Sequence, residues 1–360
     1  METNTPPHVA GPTPVQDGPQ PNGAAAPGDG QHIAVLDGVR AMSILLVLAG
    51  HLLPLGPKNL QLNALSATGG MSLFFVLSGF LICSFLLAGI PVRDFLIKRL
   101  TRIVPAATVY IVVIFLIIDF RPMHALVTGL YLNNYLTGYA TGLSGHLWSL
   151  CVEMHFYAAA ALIAMLFGKR GLWLFPVLAL IVTALRVATG ETFSIKTHLR
   201  VDEILAGATL ALVYRGYFGA LPQVRSLPAL LPLLLAFWAV TVHLASGPLQ
   251  YFRPYSTALL VGSVLYSGPG LMRTFLESTP MRYIATVSYA LYIWHFFAIS
   301  FGLNEGSSLA RYLIKRPISI VLMFALAHAS TFYIERPASQ FVRRRFLSGG
   351  RPAPQPPTGP

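Results

Sequence analysis

The chain is 360 residues long, 54% hydrophobic and only 11% charged. Soluble domains carry about a quarter charged residues, so a soluble globular protein is excluded. The net charge of +12 invites a nucleic-acid partner, but Lys and Arg lie in short clusters between apolar runs, where membrane topology signals lie, and that class is excluded too.

What remains is an all-α, polytopic integral membrane protein, about ten transmembrane helices in one bundle within the lipid bilayer. Residues 1–34 are rich in Pro and Gly. They lack the basic and apolar regions of a signal peptide, so they are expected to be a disordered cytoplasmic tail. Residues 346–360 form a similar tail, and 35–345 is one membrane domain without internal repeats. Apolar stretches of about 20 residues place spans at 36–56, 69–89, 103–120, 146–168, 172–189, 199–214, 227–246, 255–267, 283–302 and 312–334. Residues 123–134 are too short to cross and are expected as an interfacial or re-entrant half-helix.

The first span, LDGVRAMSILLVLAGHLLP, opens with Asp37 and Arg40 and closes with His51 before a proline. Eleven residues turn a helix by about 1100°, so Arg40 and His51 fall within about 20° of one face and about 16 Å apart along the axis. Two readings fit. Both side chains snorkel to opposite interfaces, or both are functional, the default for ionisable residues inside a membrane. With the N-terminus cytoplasmic, sixteen of the Lys and Arg fall inside and nine outside. The positive-inside rule therefore puts both termini in the cytoplasm, the protein being multi-pass in the inner membrane. Arg311, Lys315 and Arg316 oppose this locally.

In this arrangement His51, Glu153, Asp202, Glu203 and His295 fall at similar depth in the outer third of the membrane. Arg40 and the run RDFLIKRLTRI lie on the inner side, with Arg99 and Arg102 sharing a face at i and i+3. Bland alternatives exist for most of these. Asp202 and Glu203, candidates for binding the substrate, equally suit a helix N-terminus, Arg99 and Arg102 suit an interfacial helix, and His295 suits a packed histidine bonded to Ser288 or Tyr292. Glu153, among aromatic residues, needs a partner or a task. His146, His155 and the other histidines show no pattern. There is no metal-ligand spacing, and Cys83 and Cys151 fit as small core residues.

A cationic inner face with a His/Glu cluster deeper in the membrane suits group transfer. A phosphate-bearing donor would bind Arg40, Arg99 and Arg102. His51 would deprotonate the acceptor hydroxyl, oriented or charge-balanced by Glu153. Ser149, Tyr292, Trp148 and His295 would polarise a thioester carbonyl. A covalent acyl-histidine at His51 is a variant of the same scheme.

These residues resemble the membrane-bound acyltransferase-3 family over most of the chain. LDGVRAMSILLVLAGH is similar to its Arg-x10-His helix, and GGMSLFFVLSGFLI to its second motif, with Ser78 and Gly79. KRLTRIVP is similar to its Arg-x-x-Arg segment, HLWSLCVEMHFY to its Trp-Ser-Leu-x-Val-Glu element, VSYALYIWH to its Ser-Tyr…Trp-His signature, and YIERP to its closing Glu-x-Pro. Two departures are Ser72, where the family often has Asp, and Met154-His155, where it often has Glu-Gln before Phe-Tyr after the motif glutamate. The resemblance implies acyl transfer, usually of acetyl from cytosolic acetyl-CoA, to a carbohydrate hydroxyl on a surface polysaccharide, lipid-linked glycan or glycosylated metabolite. Many members carry a further extracytoplasmic domain. None is evident here, which leaves room for a separate extracytoplasmic partner or a homo-oligomer. The competing expectation is a proton-coupled exporter or flippase, with His51, Glu153 and His295 as the relay.

Overall fold

The computed structural model describes residues 33–219, 221–300 and 308–347. Among them there is no strand. Most of residues 1–34 and 346–360, expected as tails, lie outside the described residues, as do residues 301 and 302 of the ninth expected span.

The helices run α1 Ala34–Leu52, α2 Leu62–Leu87, α3 Val92–Val112, α4 Pro122–Gly129, α5 Trp148–Phe167, α6 Leu174–Thr189 and α7 Asp202–Tyr214. They continue as α8 Leu231–Val242, α9 Arg253–Leu265, α10 Leu271–Leu276, α11 Thr279–Ser300, α12 Ser308–Ala310, α13 Arg316–Ala329 and α14 Arg336–Phe346. Among the described residues, seven helical stretches are long and apolar enough to cross a membrane, against the ten spans expected. The difference has physical causes. Residues 145–189 form one helical stretch, folded at Gly168, whose φ of +57° only glycine adopts readily. α7 and α9 are 13 residues each, about 20 Å, and a bilayer core needs about 30 Å. Both are mostly buried against other helices and need no lipid-matched length. α4 has eight residues and does not cross.

α2 is the central helix, packed on α1, α7, α8 and α9. Its small residues make this possible. A Cβ at Gly70 would stand 2.5 Å from the Ser43 carbonyl oxygen of α1. At Gly79 it would stand 1.8 Å from the Ile204 carbonyl oxygen of α7, and at Gly207 1.9 Å from that of Val76. Backbones thus meet at glycines, the usual way helices associate in lipid, where no hydrophobic force draws them together. Ser43 and Ser66 fasten α1 to α2 through hydrogen bonds of 3.0 and 2.7 Å to the Gly70 and Leu46 carbonyls. Large apolar side chains such as Leu180, Leu233 and Val321 face outward, as a lipid-exposed surface requires. Gly207→Ala should destabilise the fold by about 1–3 kcal/mol, the usual cost of overpacking. Thermal melting of detergent-purified protein checks this; an unchanged midpoint would contradict the close crossing.

Candidate active site

α1 and α11 meet at two histidines 244 residues apart in sequence. The Nδ1 of His51 lies 3.1 Å from the Nε2 of His295, with the rings stacked at 5.2 Å. The Nδ1 of His295 lies 2.5 Å from the Tyr292 carbonyl oxygen. A carbonyl only accepts, so in neutral rings His295 carries its proton on Nδ1 and its Nε2 is a lone pair. His51 therefore donates from Nδ1, which leaves its own Nε2 unprotonated. The chain of two hydrogen bonds fixes the tautomer a base requires.

Around this dyad is a cavity of about 370 Å³ lined by His51, His146, Trp148, Arg200, Tyr292 and Phe296, among others. His146 donates from Nε2 to the Ile293 carbonyl at 3.1 Å, and its Nδ1 is buried without a partner. Its ring stacks on Phe296 at 4.7 Å. The Tyr292 hydroxyl donates to the His146 carbonyl, so Ser149 Oγ, 2.6 Å away, must donate to the Tyr292 oxygen. Trp148, Ser149, Tyr292 and His295 are thus brought to the dyad or its cavity.

Glu153 is not. Its Oε1 accepts from Ser78 and Tyr157, both at 2.5 Å, and it lines a void of about 30 Å³ with Arg40, Arg99 and Arg102. The expected pairing with His51 is replaced by the pairing of His51 with His295. The reason is depth. Glu153 lies one helical turn, about 6 Å, beyond Ser149 along α5, facing Ser78 of α2 on the arginine side.

The three arginines line one cavity. A cavity of about 480 Å³ is lined by Arg40, Arg99 and Arg102, together with Lys98, Ser339 and Arg343. Arg40 pairs with Asp37 at 3.3 Å. Arg99 is buried, packs over Phe85 at 4.7 Å and has an unpartnered Nη2. Lys98 and Arg343 had counted only as topology charges; α14 brings Arg343 back onto the cavity.

Asp202 and Glu203 do not line the histidine cavity; they are spent in a buried ion-pair cluster. Arg186 binds Asp202 at 2.5 Å, Arg253 binds Glu203 at 2.5 Å, and Arg200 stands 3.4 Å from Glu203. The cavity residue from this region is Arg200.

The three cavities lie in one order along two helices. Leu36 and Arg40, then Arg40, then Val47 and His51 of α1 line the first, the small and the last of them. Phe80 to Ala88, then Phe74 to Leu81, then Ala67 to Met71 of α2 run the opposite way along them. Phe74, which lines the void, stacks on Tyr292 of the histidine cavity at 6.3 Å between centroids.

A cationic cavity and a histidine cavity thus lie in line through a multi-pass helical membrane bundle. Residues 33–346 match the family model described as an acyltransferase domain, and the chain belongs to this acyltransferase-3 family. It is similar to YrhL of Bacillus subtilis, 26% identical over 88% of this chain and 57% of the relative. It is also similar to the peptidoglycan O-acetyltransferase OatA of Listeria monocytogenes, 24% identical over 85% of this chain and 56% of the relative. The O-acetyltransferase OatA of Staphylococcus aureus is likewise 24% identical, over 85% of this chain and 57% of the relative. The chain thus spans little more than half the length of these relatives. No solved structure matches it.

Proposed function

We propose that this chain transfers an acyl group, acetyl, from cytosolic acyl-CoA to a carbohydrate hydroxyl on the far side of the membrane. A peptidoglycan-type glycan is the first acceptor to test, since that is the substrate in the name of the Listeria relative. The observation that carries the proposal is the order of cavities along α1, with Arg40 at one end and His51 at the other.

The fit to acyl-CoA is chemical. Its phosphates need cations with free donors, and the first cavity offers Arg40, Lys98, Arg99, Arg102 and Arg343, with the buried Nη2 of Arg99 unpartnered. Arginine forks suit phosphate oxygens. The 16 Å from Arg40 to His51 along the helix suits an extended pantetheine arm. At the far end, the unprotonated Nε2 of His51 takes the acceptor hydroxyl proton. His295 holds the His51 ring and proton in place through Nδ1. The acceptor lies against His146, whose Nδ1 lone pair accepts from a second sugar hydroxyl. Glu153 offsets the positive charge of Arg40 and Arg99 where the arm passes, and holds Ser78 and Tyr157 in place.

The test is incubation of the purified protein with radiolabelled acetyl-CoA and peptidoglycan fragments. The expected result is acetyl-labelled fragments. An exporter would instead move the glycan with its mass unchanged, and that result would overturn the proposal. Phe74→Trp should slow transfer much more than it weakens acetyl-CoA binding, because the larger ring narrows the passage beside Tyr292 while the arginines still hold the phosphates. Equal rates of transfer would exclude a route past Phe74.

A further inference from the structure

Arg200 enters the histidine cavity with its hydrogen-bonding capacity unspent. The residue is fully buried, and Nε, Nη1 and Nη2 have no hydrogen-bond partner. Its guanidinium is enclosed by Phe193, Trp148 and Phe75, at 4.9, 5.5 and 5.8 Å from the ring centroids. The neighbouring arginines are tied to carboxylates more closely. Arg186 binds Asp202 and the carbonyls of Glu191 and Thr192. Arg253 donates from Nε to Glu203 at 2.5 Å, and its Nη1 and Nη2 have no partner. The buried cluster therefore has three guanidiniums against two carboxylates, and Arg200, at 3.4 Å from Glu203 the most loosely paired of the three, is the one that lines the cavity. A buried guanidinium whose N–H groups make no hydrogen bond is costly, and it suits a site where a negative charge arrives.

We propose that Arg200 is a catalytic residue that holds the oxygen made negative during acyl transfer. The inference rests on the acyl-transfer function proposed above. The acceptor hydroxyl oxygen attacks the thioester carbonyl carbon as its proton passes to Nε2 of His51, and a C–O bond forms. The carbonyl π pair moves onto oxygen, where the N–H groups of Arg200 receive the charge. Collapse of this oxyanion breaks the C–S bond. The departing thiolate takes the proton back from His51, giving the ester and free CoA thiol. The aromatic wall excludes water from the guanidinium and strengthens the contact.

The test uses the full chain in lipid nanodiscs, as wild type, Arg200→Lys and Arg200→Gln, with acetyl-CoA and soluble peptidoglycan fragments. For Arg200→Gln, kcat should fall about 10²–10³-fold, with both KM values and acetyl-CoA affinity within about threefold of wild type. Arg200→Lys keeps the charge but loses the fork, so its kcat should lie between the two. Methylphosphonate, a stable tetrahedral anion, should produce a saturable change in tryptophan fluorescence through Trp148, absent in Arg200→Gln. Arg200→Gln with near wild-type kcat would overturn the proposal. So would a raised KM for the fragments at unchanged kcat, which would make Arg200 an acceptor-binding cation. If Arg200→Gln no longer binds acetyl-CoA, the methylphosphonate titration of wild type decides, and the absence of a saturable response overturns the assignment. If wild type transfers no acetyl group, the broader function fails, while the titration still reports on Arg200.

Discussion

His51→Ala should lower acyl transfer by about 10²–10⁴-fold, the usual contribution of a positioned general base. Acetyl-CoA affinity should be unchanged, because the cationic cavity lies at the other end of α1 from His51. His295→Ala should act through His51. Without the lone pair at Nε2 of His295, the Nδ1–H of His51 loses the acceptor 3.1 Å away, and the ring is free to turn or change tautomer. Loss of such an orienting partner commonly costs about 10–100-fold, so His295→Ala should retain more activity than His51→Ala. The double variant should be no worse than His51→Ala, since the two residues act as one unit. Turnover of labelled acetyl-CoA in the presence of glycan fragments checks all three. Full activity in His51→Ala would remove the base from the scheme, and additive losses would break the dyad.

Arg99→Ala and Arg102→Ala should weaken acetyl-CoA binding. A charge-assisted hydrogen bond contributes about 1.5–3 kcal/mol, or about ten- to a hundredfold in affinity per residue. The loss should appear in Kd and in the KM for the donor, with kcat at saturating donor altered much less. Arg343→Ala should show a smaller loss of the same kind if α14 closes the donor cavity. Isothermal titration with acetyl-CoA separates these effects, and dephospho-CoA identifies the contact to the 3′-phosphate. Equal donor affinity in wild type and in the Arg99/Arg102 double variant would contradict the phosphate role of that cavity.

Much of this arrangement was legible in the chain. The eleven-residue interval from Arg40 to His51 set both on one face of α1, and the i, i+3 spacing of Arg99 and Arg102 set them on one face of α3. Trp148 and Tyr292 line the histidine cavity, with Ser149 bonded to Tyr292 and His295 to His51. The Ser-Gly pair of α2 acquires a physical meaning: Ser78 donates to Glu153, and Gly79 admits the backbone of α7. Ser72, one of the two departures from the resemblance, is buried and bonded to Thr257 at 2.9 Å.

Other features were hidden for identifiable reasons. Span ends read from hydropathy fix depth only to about a helical turn, and one turn separates the level of Ser149 from that of Glu153. Asp202 and Glu203 looked like substrate ligands because their partners lie on other elements, Arg186 on α6 and Arg253 on α9. In sequence Arg200, Lys98 and Arg343 resemble topology charges, which is how most basic residues at span ends behave. His146 had no local pattern to mark it. Its orientation depends on the Ile293 carbonyl and the Phe296 ring of α11, contacts that only the tertiary fold supplies. Ten hydropathy peaks against seven long apolar helices have a similar origin, since short helices enclosed by protein look like short spans.

The central claim is that one donor molecule reaches from the arginine cavity to the histidine dyad. An electron cryomicroscopy structure of the His51→Ala variant with acetyl-CoA tests this most directly. The expected density places the phosphates among Arg40, Arg99 and Arg102, threads the pantetheine between Phe74 and Ser78, and ends with the thioester beside His295. Phosphates at the arginines with the thioester turned back toward the mouth of that same cavity, or acetyl-CoA bound elsewhere, would contradict it.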